Sequence, residues 1–180
     1  MAATYRRRAN AFEALVVGTP RERWSSPSPC AGWSARDVVA HVVDFSATVL
    51  GERAGVTDAP EFTDFADPAA AFRSTRAAVQ RVLDDPDTPA RVAGYLEGSL
   101  SFDLPQHGWD LAVATGQDAT MDPDEVDYLW TSLTEASRVW DWQRANGWYG
   151  PAVPVPEDAP LQDRVLGMLG RDPRWTPPVS

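Results

Sequence analysis

The stretch Ser34-Ala35-Arg36-Asp37-Val38-Val39-Ala40-His41-Val42-Val43-Asp44-Phe45 carries the pattern that decides the fold. Ser34 stands where an N-cap belongs, and Asp37, three residues on, fills the reciprocal position of a capping box. Behind them Val38, Val39, Val42, Phe45, Val49 and Leu50 recur at helical spacing, so the spacing predicts a helix running to about Ala54. Upstream, Thr4 to Val17 reads as an amphipathic helix with Ala11, Leu15 and Val16 near one stripe, stopped by Gly18-Thr19-Pro20. The loop Ser25-Ser26-Pro27-Ser28-Pro29-Cys30-Ala31-Gly32 is too rich in turn formers for regular structure.

The downstream pattern is also helical. Asp67-Pro68 pairs a capping aspartate with proline at the first helical position, and the helix it opens should reach Leu83 before Asp84-Asp85-Pro86-Asp87. Ala90 to Glu97 is ambiguous between an extended piece and a loop. A further helix is predicted over Ser99 to Thr115, ending at Gly116. Asp122-Pro123 repeats the start signal for a long helix through Trp130, Leu133, Val139 and Trp142 to about Gly147. Gly150 to Pro156 should be extended, and a short helix from Ala159 to Leu169 closes the chain. With no alternating strand pattern and no solenoid repeat, an all-α helical bundle in one domain, residues 1–180, is the expectation.

The net charge of −10 argues against nucleic acid and anionic membrane surfaces as partners. No window approaches the roughly 18 apolar residues of a membrane span, and the arginine-rich start is not followed by a signal-peptide core. The single cysteine, Cys30, excludes internal disulfides and fits a reducing cytoplasm. In a loop ahead of a helix it reads either as a reactive thiol or as a small buried apolar residue. All sixteen basic residues are arginine, which removes lysine-based Schiff-base and P-loop chemistry. The eight tryptophans supply large core or pocket-wall surfaces.

The only two histidines each precede an aspartate by three residues, His41…Asp44 and His107…Asp110, and Asp103 lies four before His107. Positions three and four apart share a helix face. His41, Asp103 and His107 would offer two imidazoles and a carboxylate, the donor set of many open divalent-metal sites. Asp44 and Asp110 would accept the second ring N–H of each histidine and fix its tautomer. The alternative for Asp103 is a capping role for a helix starting near Pro105, a residue that inside a helix costs about 3 kcal/mol. There is no Gly-x-Ser-x-Gly, no His-Glu-x-x-His and no Gly-rich dinucleotide loop.

Pro29-Cys30-Ala31-Gly32-Trp33-Ser34-Ala35-Arg36-Asp37-Val38-Val39-Ala40-His41 resembles the corresponding segment of the DinB-like superfamily, which includes the N-terminal domain of mycothiol-dependent maleylpyruvate isomerase. His107-Gly108-Trp109-Asp110-Leu111-Ala112 resembles that group's second metal motif. Gly150 to Pro156, Asp163-Arg164-Val165-Leu166 and Gly170-Arg171-Asp172-Pro173 look like the tail of a related, mostly uncharacterised actinobacterial family. The resemblance implies an up-and-down four-helix bundle with a short extra C-terminal helix. It also implies a divalent metal held by His41, Asp103 and His107, zinc first, with nickel or iron as alternatives. Relatives use the metal to present a low-molecular-weight thiol such as mycothiol for transfer or isomerisation. Two features depart from the isomerase: the acid is aspartate in place of glutamate, and no second C-terminal domain is expected within 180 residues.

These observations define two functions of different class. One is a metal- and thiol-dependent S-transferase or isomerase acting on a small molecule. The other is a non-catalytic DinB-like binding or stress-related module, with or without metal, whose mark would be a site sealed by Trp33 and Trp109. A homodimer through late tryptophans (Trp140, Trp142, Trp148) is a further expectation.

Overall fold

The computed structural model describes residues 2–56 and 67–178, which are helical with no strand among them. They fall into two compact units, 1–118 and 119–180. The first unit holds α1 (Ala2–Gly18), α2 (Ala35–Val49), α3 (Pro68–Asp84) and α4 (Ala90–Thr115). The second holds α5 (Pro123–Glu135), α6 (Ser137–Ala145) and α7 (Leu161–Met168).

The helix starts follow the local chemistry. Ser34 and Asp37 form a complete capping box at the head of α2. Asp67 accepts from the amides of Ala69 and Ala70, and Asp122 from that of Asp124, each ahead of proline at the first helical turn. The helix predicted to reach Ala54 ends as α-helix at Val49 and finishes in a π-helical turn, Leu50–Ala54, capped by left-handed Gly55.

In the four-helix unit, α1 and α2 each pack against both α3 and α4. The long 19–34 connection carries the chain from α1 to α2. The core combines Tyr5, Phe12 and Val16 of α1, the valines of α2, Phe72 and Val79 of α3, and Leu96, Leu100, Leu104 and Leu111 of α4. Glu13 of α1 pairs with Arg73 and Arg76 of α3 at the rim, which holds its carboxyl below the usual range.

Two helix assignments differ from expectation. First, α4 is one helix of 26 residues; the ambiguous 90–97 stretch is its beginning, and Pro105 lies deep inside it. Asp103 is therefore not the cap of a helix starting at Pro105. Proline donates no hydrogen bond to the carbonyl four residues back, which is that of Ser101. The Arg8 guanidinium, buried in α1, donates to the Ser101 carbonyl at 3.0 Å instead. A charge-assisted bond of this kind contributes about 1.5–3 kcal/mol, enough to offset much of the roughly 3 kcal/mol that interior proline costs. Second, the long helix expected over 123–147 breaks at Ala136 into α5 and α6. The Trp140 indole folds back to donate to the Ser132 carbonyl at 2.9 Å.

Within the second unit, α5 packs on α7. The proline-rich 150–156 segment lies along α7, with the Val153 amide donating to the Gly167 carbonyl. Gly167 permits that approach, since a Cβ there would stand 2.6 Å from Val155 and 2.7 Å from the Val153 carbonyl oxygen. Of the late tryptophans, Trp140 is buried, whereas Trp142 and Trp148 are 58% and 65% exposed. No helix among the described residues is long and apolar enough to cross a membrane.

Candidate metal centre

His41 comes from the middle of α2, and Asp103 and His107 from successive turns of α4, two helices that pack together. The structure brings the three side chains to one place, with one ligand atom of each within 4.8 Å of the others. Asp103 Oδ1 lies 3.4 Å from His107 Nε2 and 3.8 Å from His41 Nε2. The two imidazole rings stand edge to face with centroids 4.7 Å apart. Gln106, one residue before His107 and buried, donates to Asp103 Oδ1 at 3.1 Å. Asp103 Oδ2 is buried and has no hydrogen-bond partner among the described residues. A buried carboxylate oxygen without a donor is costly, and a cation would satisfy it. The donor set of two imidazole nitrogens and a carboxylate suits a borderline divalent cation.

The site is asymmetric in exposure. The His41 side chain is 34% exposed, whereas His107 is almost sealed. Burial alone would push the Asp103 carboxyl up. The charge of His107 and the approach of the His107 and His41 ring nitrogens override it and hold the group well below the usual carboxylate range. Burial likewise opposes a charge on His107. The charge of Asp103 and its hydrogen bond, joined by those from Asp110 and Cys30, win and raise its pKa well above the ordinary imidazole value. Both shifts favour the charged forms of the pair, and a metal bound at Nε2 would have to displace a proton from a charged His107.

The supporting residues part company. Asp110 is fully buried, and its Oδ2 meets His107 Nδ1 at 2.9 Å, which leaves Nε2 to face Asp103 and His41. Asp44 is exposed and makes no hydrogen bond to His41 among the described residues. Partial burial pushes its carboxyl up, and the neighbouring His41 pulls it down. Trp33 packs on both rings, with centroids 5.0 Å from His41 and 6.1 Å from His107. Trp109, buried on α4, makes no ring contact with either histidine among the described residues. Two residues beyond His107, it lies about 200° around the helix from it. The residue unforeseen on the His41 side is Phe45, one turn further along α2, whose ring lies parallel to the imidazole at 5.9 Å.

Trp33 and Cys30 are aimed by one four-residue turn, in which the Trp33 amide donates to the Cys30 carbonyl at 3.0 Å. Gly32 occupies the position of that turn that needs a left-handed conformation, with φ of 80°. The turn directs the Cys30 thiol to Asp110 Oδ2 at 3.2 Å. The signal for the turn was present in Cys30-Ala31-Gly32-Trp33. Gln106 was missed although it stands three residues after Asp103, a spacing that shares a helix face once α4 is a helix.

Two uncharacterized proteins of Mycobacterium tuberculosis, from strains CDC 1551 / Oshkosh and ATCC 25618 / H37Rv, are each 26% identical to the chain. Each match covers 94% of this chain and 97% of the relative. No solved structure matches the chain. The family model described as the mycothiol maleylpyruvate isomerase N-terminal domain matches residues 5–166, a span that includes all three clustered residues. A match over that much of the chain shows that it belongs to the mycothiol maleylpyruvate isomerase N-terminal domain family.

Proposed function

We propose that this protein binds a divalent metal ion, zinc first and nickel or iron as alternatives, through His41, Asp103 and His107, and uses it as a thiol-dependent S-transferase or isomerase of the mycothiol type. The observation that carries this reading is the convergence of the two histidine nitrogens on Asp103 Oδ1, beside a buried Oδ2 that has no hydrogen-bond partner among the described residues. When bound, the cation would supply a Lewis acid that lowers the pKa of a thiol or water at its open position. The protein's own groups do the rest. Asp110 holds the His107 proton on Nδ1, Gln106 steadies Asp103, and Trp33 and Phe45 flank the His41 ring. The exposed edge of His41 gives a small-molecule ligand or thiol its way in.

That open edge favours a reactive centre over the sealed, non-catalytic module. The same reading takes residues 1–180 as one domain, supported by a family match that spans both compact units. It places the protein in the cytoplasm, in keeping with its single free cysteine. A homodimer through the exposed Trp142 and Trp148 belongs to it as well, and sedimentation at two concentrations decides that point.

The test is elemental analysis of untagged protein purified without added metal, coupled to a screen of low-molecular-weight thiols for binding and turnover. About one equivalent of metal and thiol-dependent turnover are expected. Metal without turnover leaves the binding module, and absence of metal after zinc is supplied ends the proposal.

A further inference from the structure

We propose that Cys30 is a positioning residue of the metal centre, acting through Asp110 on His107. The inference rests on the metal-binding reading of the site.

The two ring nitrogens of His107 face opposite carboxylates. Nε2 looks towards Asp103 at 3.4 Å and Nδ1 towards Asp110 at 2.9 Å. Asp110 is fully buried, and one of its oxygens, Oδ2, receives both the His107 Nδ1–H and the Cys30 S–H. A buried carboxylate is stable only when donors surround it. The thiol is a donor that adds no charge. It neutralises part of the demand on Oδ2 and leaves the Nδ1–H bond intact, so Asp110 orients the imidazole without taking its proton. Ligand-orienting carboxylates of this kind govern metal affinity nearly as strongly as the ligands do.

Cys30, His107 and Asp110 bring possible ligand atoms within 4.8 Å of one another, a second group beside that of His41, Asp103 and His107. The Cys30 sulfur lies on the Nδ1 side of His107 with Asp110, whereas His41 and Asp103 face Nε2. The turn that sets Cys30 carries Trp33 too, and Trp33 packs on the faces of both histidine rings. One short loop thus holds His107 twice, at its Nδ1 edge through Asp110 and on its face through Trp33. Gly32 and the hydrogen bond from the Ser28 amide to the Trp33 carbonyl at 2.8 Å keep that loop in register with the head of α2.

The experiment compares wild type, Cys30→Ala and Cys30→Ser, titrated with zinc and separately with cobalt(II). Cys30→Ala should lower zinc affinity about 10- to 100-fold, the usual effect of losing a residue that orients a ligand. Cys30→Ser, which keeps a donor, should recover most of that loss. The cobalt d–d spectrum should shift in Cys30→Ala and return in Cys30→Ser, a change that lost stability alone would not produce. Zinc affinity unchanged in Cys30→Ala overturns the proposal. So does a sulfur-to-cobalt charge-transfer band in wild type that vanishes in Cys30→Ser, because Cys30 would then be a ligand. If wild type takes up no metal, the functional reading fails separately. The role of Cys30 is still decided by proton–nitrogen NMR of the His107 ring. The hydrogen-bonded Nδ1–H signal should be lost to exchange in Cys30→Ala and kept in Cys30→Ser, and its persistence in Cys30→Ala overturns the proposal.

Discussion

The two His-x-x-Asp segments have identical spacing and opposite fates. On α4, Asp110 is fully buried and bonded to His107 Nδ1 at 2.9 Å. On α2, Asp44 faces solvent and leaves His41 to be held by the rings of Trp33 and Phe45. Three-residue spacing puts two side chains on neighbouring parts of a helix face, but which part is sealed depends on what packs against it. Two ways of fixing an imidazole therefore meet in one site: a buried carboxylate on one side and aromatic clamps on the other.

The largest expected effect tests whether both halves are needed. His41→Ala and His107→Ala should each bring zinc retention to background in elemental analysis, and retention in either variant would reduce the centre to the other half. Next comes the contrast between the aspartates. Asp110→Asn should weaken zinc binding about 10- to 100-fold. Asp44→Asn should change it by less than about threefold, the scale of a ±0.5 kcal/mol surface substitution. Isothermal titration with zinc measures both, and equal losses would erase the asymmetry.

A third test addresses a feature that α4 has and α2 lacks. Arg8→Met removes the donor that satisfies the Ser101 carbonyl opposite Pro105. It should destabilise the protein by about 1.5–3 kcal/mol in urea unfolding. Pro105→Ala in that background should restore part of the loss, because the alanine so introduced has a backbone N–H to donate to the same carbonyl; no recovery would separate Arg8 from the proline.

The smallest effect is a pH dependence confined to the α4 pair. The Asp103 carboxyl is held low, so its stabilisation is present above about pH 4 and is lost as pH falls through its depressed value. His107 is held high, so its stabilisation is complete below about pH 6.5 and is lost as pH rises through its raised value. The metal-free protein gains most between those limits. The stability gap between wild type and His107→Gln should therefore narrow above about pH 6.5, while zinc affinity rises as the His107 proton becomes easier to displace. A gap that is flat with pH would remove the ion pair from the account.

Much of this molecule is legible locally. Ser34 with Asp37, Asp67 with Pro68, and Asp122 with Pro123 announce helix starts because capping joins a side chain to amides two or three residues away. The same locality makes Asp103 and His107 neighbours once α4 is a helix. Sequence alone thus determined the helical class, the starts of α2, α3 and α5, and the candidate ligands. Only the tertiary structure decided that α4 runs unbroken through Pro105, because the carbonyl the proline leaves open is met by Arg8, 93 residues earlier in the chain. It also decided that Trp33 faces the histidines and Trp109 does not, that Cys30 reaches Asp110 across 80 residues, and that Asp110 is sealed while Asp44 is wet. Those outcomes depend on which face of each helix another element covers, and a covering partner distant in sequence leaves no mark on the spacing of the residues it covers.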